Sequence, residues 1–334
     1  MSNEWCALAA GVPNPGKDPT NIFWPAGTNA YQIVGLSHLV LGITISIFLV
    51  VAGLLLYSIL KYRHRPTAPD AAQEPPQIYG SVQIELSWTV IPVLIVVMLF
   101  LATARVILAT ERAPVPKNAL QVTVIGHQYW WEYRYPQLGI VTANELHIPV
   151  AGKQGSTPTM LTMSSADTDH SFWVPRLAGK KDLIPNKVNT LLLDPDATGL
   201  YLGQCAQYCG VQHAKMLLRV YVDSPEDFQK WVANQQKESV QAPTAAEGEA
   251  VFQHNACINC HSIAGTVATG RYGPDLTHVA SRDTIASGAV PNTPENMHAW
   301  IDNPDTFKPG ARMPPMHLNA HDLDAVTLYM TTLK

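Results

Sequence analysis

The sequence predicts a multidomain membrane protein, with a two-helix transmembrane hairpin followed by a β-sandwich or barrel domain and a small all-α domain. Three observations carry this. Two long stretches of the 334 residues hold no charge, a middle region alternates short β-branched runs with turn residues, and a C-x-x-C-H motif opens a helix-patterned C-terminal part. Charged residues are 14% of the chain against 47% hydrophobic, well below the roughly 25% charged of an average soluble protein. A net charge of −4 excludes the basic footprint of a nucleic-acid-binding protein. The five cysteines form two tight pairs, Cys205 with Cys209 and Cys257 with Cys260, plus Cys6, which is the arithmetic of metal sites rather than of a disulfide framework.

The stretches Leu36 to Leu60 and Leu86 to Ala104 are uncharged. Each is long enough to cross a hydrocarbon core of roughly 30 Å, which takes about 20 residues. The spacing predicts helices over 36–60 and 86–109, with Pro92 kinking the second. Soluble core helices are the alternative, and runs this long and this free of charge argue against them. The connector opens with Lys61, Tyr62, Arg63, His64 and Arg65, the densest basic cluster in the chain. The positive-inside rule puts that loop in the cytoplasm, and hence both termini and everything after Arg112 on the extracytoplasmic side of a bacterial inner membrane. The first span starts too late and lacks the flank and cleavage site of a removable signal peptide. Cys6 reads as an unmodified thiol in a surface tail.

Between Leu120 and Val222, segments such as LQVTVIG, ELHIPV and LLRVYV alternate with Gly, Pro, Asn and Asp, the pattern of an antiparallel sandwich or barrel. One loop stands out: Cys205, Cys209, His213 and Met216 place two thiolates, an imidazole and a thioether within twelve residues. His170 offers a second imidazole. Soft sulfur with imidazole favours copper, and two cysteines allow both thiolates to bridge a pair of copper ions. A structural zinc site is the main alternative, opposed by the nearby Met and by the Cys spacing. A Cys205–Cys209 disulfide is a weaker one.

The segment from the first span to Val222 resembles subunit II of cytochrome c oxidase, a heme-copper oxidase family. The matching stretches are Glu85-Leu-Ser-Trp-Thr-Val-Ile-Pro92, Gly126-His-Gln-Tyr-Trp-Trp-Glu-Tyr133, His170-Ser-Phe-Trp-Val-Pro175 and the Cys205–Met216 loop. The resemblance implies a cupredoxin-like Greek-key β-barrel whose Cys205 and Cys209 bridge a dinuclear copper centre. His170 and Met216 would complete one metal's shell, and His213 with the backbone carbonyl of Gln207 the other. The family usually has Glu at that position, so the resemblance leaves a magnesium ligand shared with subunit I in question here. It also implies that Tyr129 and Trp130, with Trp131, form the patch through which electrons enter; ordinary packing of these rings is the competing reading. Glu85 matches a carboxylate at the entrance of a proton channel in subunit I, against the alternative of a solvated helix-start acid.

The stretch Lys237 to Gly248 is small, polar and contains a proline, and reads as a linker. Cys257-Ile-Asn-Cys260-His261 is the attachment signature of c-type heme: two thioethers to the porphyrin and an imidazole to the iron. Met313 is the expected second axial ligand, with Met316 as runner-up; a methionine there raises the reduction potential. The loop carrying Met313 and the helical pattern after it resemble the ligand loop and final helix of class I cytochromes c, and Gly273-Pro-Asp-Leu276 resembles their proximal turn. His278 and His317 read as surface residues.

The expected organisation is an N-terminal tail (1–35), the helix hairpin (36–112), a dicopper domain (113–236), the linker (237–248) and a cytochrome c domain (249–334). The resemblance implies the electron-accepting subunit of a proton-pumping, oxygen-reducing oxidase. Electrons would pass from an external donor (a cytochrome c, a copper protein or another respiratory complex) through covalent heme c and two copper ions to heme a of subunit I. Subunit I would hold the oxygen chemistry, and further subunits such as subunit III would complete the assembly. The alternative is the dicopper and heme c subunit of a nitric oxide reductase. Quinol oxidase subunits keep the fold but usually lose the copper ligands, and a copper-delivery protein would have little use for a covalent heme.

Overall fold

The computed structural model describes residues 20–63, 77, 79–112, 114–151, 157–239 and 242–334; Cys6, His64, Arg65, Val240 and Gln241 lie outside them. The chain divides into two units, residues 32–113 and residues 1–31 with 114–334.

Nearly all the described residues of the first unit lie in two long helices, α1 (Thr28–Lys61) and α2 (Val82–Glu111). At 34 and 30 residues they extend beyond the uncharged runs at both ends. No residue in their most apolar windows is buried, and Phe48 and Phe100 are 67% and 68% exposed. Apolar side chains directed outward all round a helix suit lipid and not water. The hydroxyls of Ser46 and Ser87 donate to the carbonyls of Gly42 and Gln83 at 2.8 and 2.7 Å, so these polar groups are satisfied within the helix, as a hydrocarbon surrounding demands. Pro92 lies inside α2, and Glu85 is in its first turn, exposed.

In the second unit, ten strands follow Pro114 among the described residues. One sheet has the order β3-β2-β1-β5-β8 and the other β4-β10-β9-β6-β7. The first comprises β1 (Leu120–His127), β2 (Trp130–Tyr135), β3 (Ile140–Ala143), β5 (Thr159–Ser165) and β8 (Asn189–Leu193). The second comprises β4 (Glu145–Pro149), β6 (His170–Trp173), β7 (Lys181–Leu183), β9 (Gly199–Cys205) and β10 (Leu217–Asp223). Alternation along β1 buries Val122 and Val124 and leaves Thr123 and Ile125 half-buried, because successive side chains point to opposite faces. The fully buried Trp131, Tyr133, Tyr135, Phe172 and Tyr201 fill the space between. An antiparallel arrangement throughout was expected, but β1 pairs with β5 and β10 with β4 in parallel. Hairpin-spaced segments read as antiparallel neighbours, whereas crossing from one sheet to the other returns a strand beside an earlier one in the same direction. Helix α3 (Pro225–Gln235) closes the domain, capped by Ser224, whose hydroxyl accepts from the Asp227 N–H, and it buries Phe228 and Val232.

The C-terminal part is helical: α4 (Ala246–His254), α5 (Cys257–Cys260), α6 (Pro294–Asp302) and α7 (Ala320–Thr332), with one short ladder between Thr284–Ile285 and Val290–Pro291. Thr293 and Asn319 cap α6 and α7, and Phe252, Ile301, Val326, Tyr329 and Met330 form the core. Helix α4 starts inside the stretch read as a linker, and Ser239 donates to the Ala264 carbonyl at 2.9 Å. His278 corrects an expectation. It is 4% exposed and its Nε2 bonds the Lys237 carbonyl at 3.1 Å, a buried imidazole tying the approach segment to the helical core. His317 is exposed.

Glu145 of β4 joins the β and helical parts. Its carboxylate, 4% exposed, accepts from the Thr284 N–H and hydroxyl at 2.9 and 2.8 Å and from the Asp283 N–H at 3.1 Å. Burial pushes its carboxyl above the ordinary glutamate range, with the Thr284 bond opposing. Glu145→Ala leaves these donors buried without an acceptor and should cost about 3 kcal/mol, read as a lowered unfolding midpoint of the helical part. A carboxyl raised in the folded state contributes stability that is full below its unfolded pKa, about 4.3, and is lost as pH rises through the raised value. Measured against the pH-silent Glu145→Gln, wild-type stability should therefore fall over that rise.

Candidate metal centre and heme crevice

The sulfur loop is held at both ends by the β9–β10 ladder. The Cys205 N–H donates to the Met216 carbonyl at 2.9 Å, and the Ala206 N–H to the Ser171 carbonyl at 2.9 Å. His170 begins β6, Cys205 ends β9, and Met216 immediately precedes β10. Cys205, Cys209, Met216 and His170 are at most 3% exposed, while His213 is half-buried.

The two Sγ atoms lie 3.9 Å apart, far beyond the roughly 2.05 Å of a disulfide. Cys205 Sγ is 4.0 Å from His170 Nδ1 and 3.1 Å from the Gln207 carbonyl oxygen. Cys209 Sγ is 3.7 Å from His213 Nδ1 and 3.9 Å from Met216 Sδ. The Gln207 side chain is exposed. His170, Cys205 and Cys209 present donor atoms all within 4.8 Å of one another, among the described residues the one such group of His, Cys and acidic side chains. The Cys209 hydrogen bond pulls the Cys205 thiol down, against burial and with help from His170, and that same contact pushes Cys209 up.

The surroundings orient these donors. His170 Nε2 donates to Asp167 Oδ1 at 2.8 Å, which leaves the Nδ1 lone pair facing the sulfurs, the arrangement in which an outer carboxylate sets the tautomer of a ligating imidazole. Burial would raise the Asp167 carboxyl, but bonds from His170, Thr168 and Gln128 outweigh it and hold it low. Gly126 lets β1 approach: a Cβ there would sit 2.7 Å from His170 Cδ2. Asp167 was not singled out from the sequence, although its place three residues before His170 was the available signal.

In the helical part, a cavity of about 220 Å³ is lined by Cys257, Cys260, His261, Met313 and Met316, and also by Tyr129 and Trp130 from the β domain. His261 Nδ1 donates to the Pro274 carbonyl at 2.8 Å, which frees Nε2 as a lone-pair donor. Burial lowers its pKa and keeps it neutral, with the Pro274 bond opposing. Gly273 makes room for this ring, since a Cβ would lie 2.6 Å from His261 Cε1. Met313 and Met316 are both half-buried. Two thiols, a neutral imidazole and a thioether around one apolar cavity fit a covalent heme. Two thiols, two imidazoles, a thioether and a carbonyl around one sulfur pair fit soft metal ions and exceed the four ligands of a structural zinc.

Of the expected residues, the structure brings together His170, Cys205, Gln207, Cys209, His213 and Met216 in one cluster, and Cys257, Cys260, His261 and Met313 around one cavity. Tyr129 is 8% exposed and Trp130 half-buried. Glu85 belongs to the other unit.

A membrane-anchored chain with a soft-donor metal loop in a β-barrel, joined to a heme-binding helical domain, is an electron-transfer protein of the membrane. Residues 21–106 match the family described as cytochrome C oxidase subunit II, transmembrane domain, residues 142–222 its periplasmic domain, and residues 245–334 cytochrome c. Cytochrome c oxidase subunit 2 of Alkalihalophilus pseudofirmus is 32% identical over 327 residues, covering 96% of this chain and 92% of that protein. The subunit 2 of Bacillus sp. strain PS3 is 35% identical over 282 residues, 78% of this chain and 77% of that protein. Among solved structures, the periplasmic domain of subunit II of cytochrome oxidase of Bradyrhizobium japonicum is 27% identical with a TM-score of 0.34, over 37% of this chain and 97% of that one. The chain belongs to the cytochrome c oxidase subunit II family, with a cytochrome c domain fused at its C-terminal end. It is an integral membrane part of an oxidoreductase complex, and its β and helical domains imply copper and heme c.

Proposed function

We propose that the chain accepts electrons one at a time from an external donor on heme c and relays them through a dinuclear copper centre to heme a of subunit I. The observation that carries this is the 3.9 Å sulfur pair with an imidazole on each side. Cys205 and Cys209 would bridge the metals, His170 and Met216 would complete one shell, and His213 with the Gln207 carbonyl the other. Two copper ions held there would share one electron, so that each would change charge by half as much as a lone ion. The protein's part is rigidity: the β9–β10 ladder, Asp167 and Gly126 hold the donors in one arrangement whatever the charge on them, which keeps reorganisation small. Cys257 and Cys260 would attach the heme, with His261 and Met313 as axial ligands. Tyr129 and Trp130 belong to the copper domain and line the heme cavity, which supports their reading as the patch through which electrons enter. Glu85, with the basic connector on the cytoplasmic side, would stand at the entrance of subunit I's proton channel, and both external domains would face the opposite side. Subunit III is a further expected partner.

The test is electron paramagnetic resonance on the oxidised, detergent-purified complex. A copper signal spread over two equivalent nuclei, beside low-spin heme c and heme a, is the expected result. A single-copper signal would break the proposed path at Cys205 and Cys209.

A further inference from the structure

The loop just ahead of Met313 is fastened to the copper domain by bonds running in both directions. Lys308 Nζ donates to the Tyr129 carbonyl at 2.9 Å, and Arg312 Nη2 donates to Gln128 Oε1. In return Lys215 Nζ donates to the Phe307 carbonyl at 2.5 Å and Gln212 Nε2 to the Pro309 carbonyl. Gln128 differs from the other members of this clasp. While its Oε1 accepts from Arg312, its Nε2 donates to the Cys209 carbonyl at 2.6 Å, and its backbone N–H donates to Asp167 Oδ2 at 2.6 Å. Asp167 in turn holds His170 Nε2. The side-chain amide thus joins the residue next to Met313 with a residue of the sulfur pair, and the backbone N–H of Gln128 reaches, through Asp167, an imidazole of the same cluster. Only a side chain with one acceptor and one donor in a fixed plane does this: a carboxylate offers no donor to Cys209, and an apolar group offers neither.

We propose that Gln128 is the positioning residue for electron transfer between the two external domains, holding the Met313 loop against the Cys209 side of the copper loop. This rests on the heme c to copper route proposed above. The transfer takes one electron from the helical domain and delivers it to the sulfur cluster; no bond is made or broken and no proton moves. Gln128 supplies no ligand to either redox group, although it borders the heme cavity. It sets the distance and the hydrogen-bonded contact between the residues that do.

The experiment uses the complete oxidase, with heme c reduced in a flash by an added photoexcitable one-electron donor and the appearance of the electron at the copper centre followed optically. In Gln128→Leu the transfer should slow by about tenfold, the factor that loss of the one charge-assisted hydrogen bond from Arg312 carries in the population of the joined arrangement. The copper resonance, the heme c bands and both reduction potentials should stay at wild-type values. Arg312→Met cuts the same bridge from the other side and should slow transfer equally, with the double variant no slower than either single one. An unchanged rate in Gln128→Leu and Arg312→Met would overturn the proposal. If Gln128→Leu disturbs the copper resonance, Arg312→Met alone decides, because it leaves the copper domain intact. Wild-type protein showing no heme c to copper transfer would overturn the underlying route as well, and so separates the two failures.

Discussion

Exchange of Cys209 for serine is expected to abolish the two-nucleus copper signal while leaving the heme c bands of the same preparation intact. Cys209 Sγ is the atom on which most of the cluster converges: Cys205 Sγ, His213 Nδ1 and Met216 Sδ all lie within 3.7 to 3.9 Å of it. A serine oxygen is harder, binds soft metals weakly and does not bridge two of them as a thiolate does. Loss of outer partners of a metal site costs about 10–100-fold in affinity or activity, so loss of a bridging sulfur should exceed the upper end of that range in turnover. Serine is close in size, and the loop ends are held by backbone bonds from Cys205 and Ala206 that the exchange leaves in place, so the barrel should still fold. The heme bands serve as the internal control. A two-nucleus signal surviving in Cys209→Ser would show that the metals are bridged by other atoms.

Met313→Ala should remove the thioether-to-iron charge-transfer band and lower the heme reduction potential, while Met316→Ala should do neither. Both methionines border the cavity that His261 faces, so lining alone does not separate them. The separation comes from the preceding loop: residues 307–312 are bonded to Tyr129, Gln128, Gln212 and Lys215, which fixes the backbone up to Met313. Met316 lies beyond two prolines, next to His317 at φ 50°, with no comparable anchorage among the described residues. A thioether stabilises the reduced iron relative to an open or water-bound position, and hence the fall in potential on its loss. The reverse pattern, with the band lost in Met316→Ala, would transfer the axial role to that residue.

How much was legible in the sequence follows from how local each signal is. The two spans could be read from length and absence of charge because lipid selects on those properties alone. The metal loop could be read because Cys205, Cys209, His213 and Met216 are near neighbours whose donor chemistry is independent of the rest of the chain. C-x-x-C-H is five residues long for the same reason. The β character showed in strand alternation, but the parallel pairs of β1 with β5 and of β4 with β10 did not, because pairing direction depends on which sheet a crossover returns to. His278 was misread as a surface residue, since nothing near it in sequence reveals that Lys237, 41 positions earlier, folds over it.

By itself the sequence determined the membrane anchoring, the order of β and helical domains and the donor types available for copper and heme. These follow from side-chain chemistry and short spacings, which survive without knowledge of the fold. Only the tertiary structure decided that Asp167 orients His170, that Glu145 holds Thr284 across 139 positions and that Lys308 reaches Tyr129 across 179. Polar residues such as Glu145, Gln128 and Lys308 carry no signature of their partners. A carboxylate or amide is solvated by default, and becomes a clasp only where folding removes water and supplies one complementary group at hydrogen-bond distance.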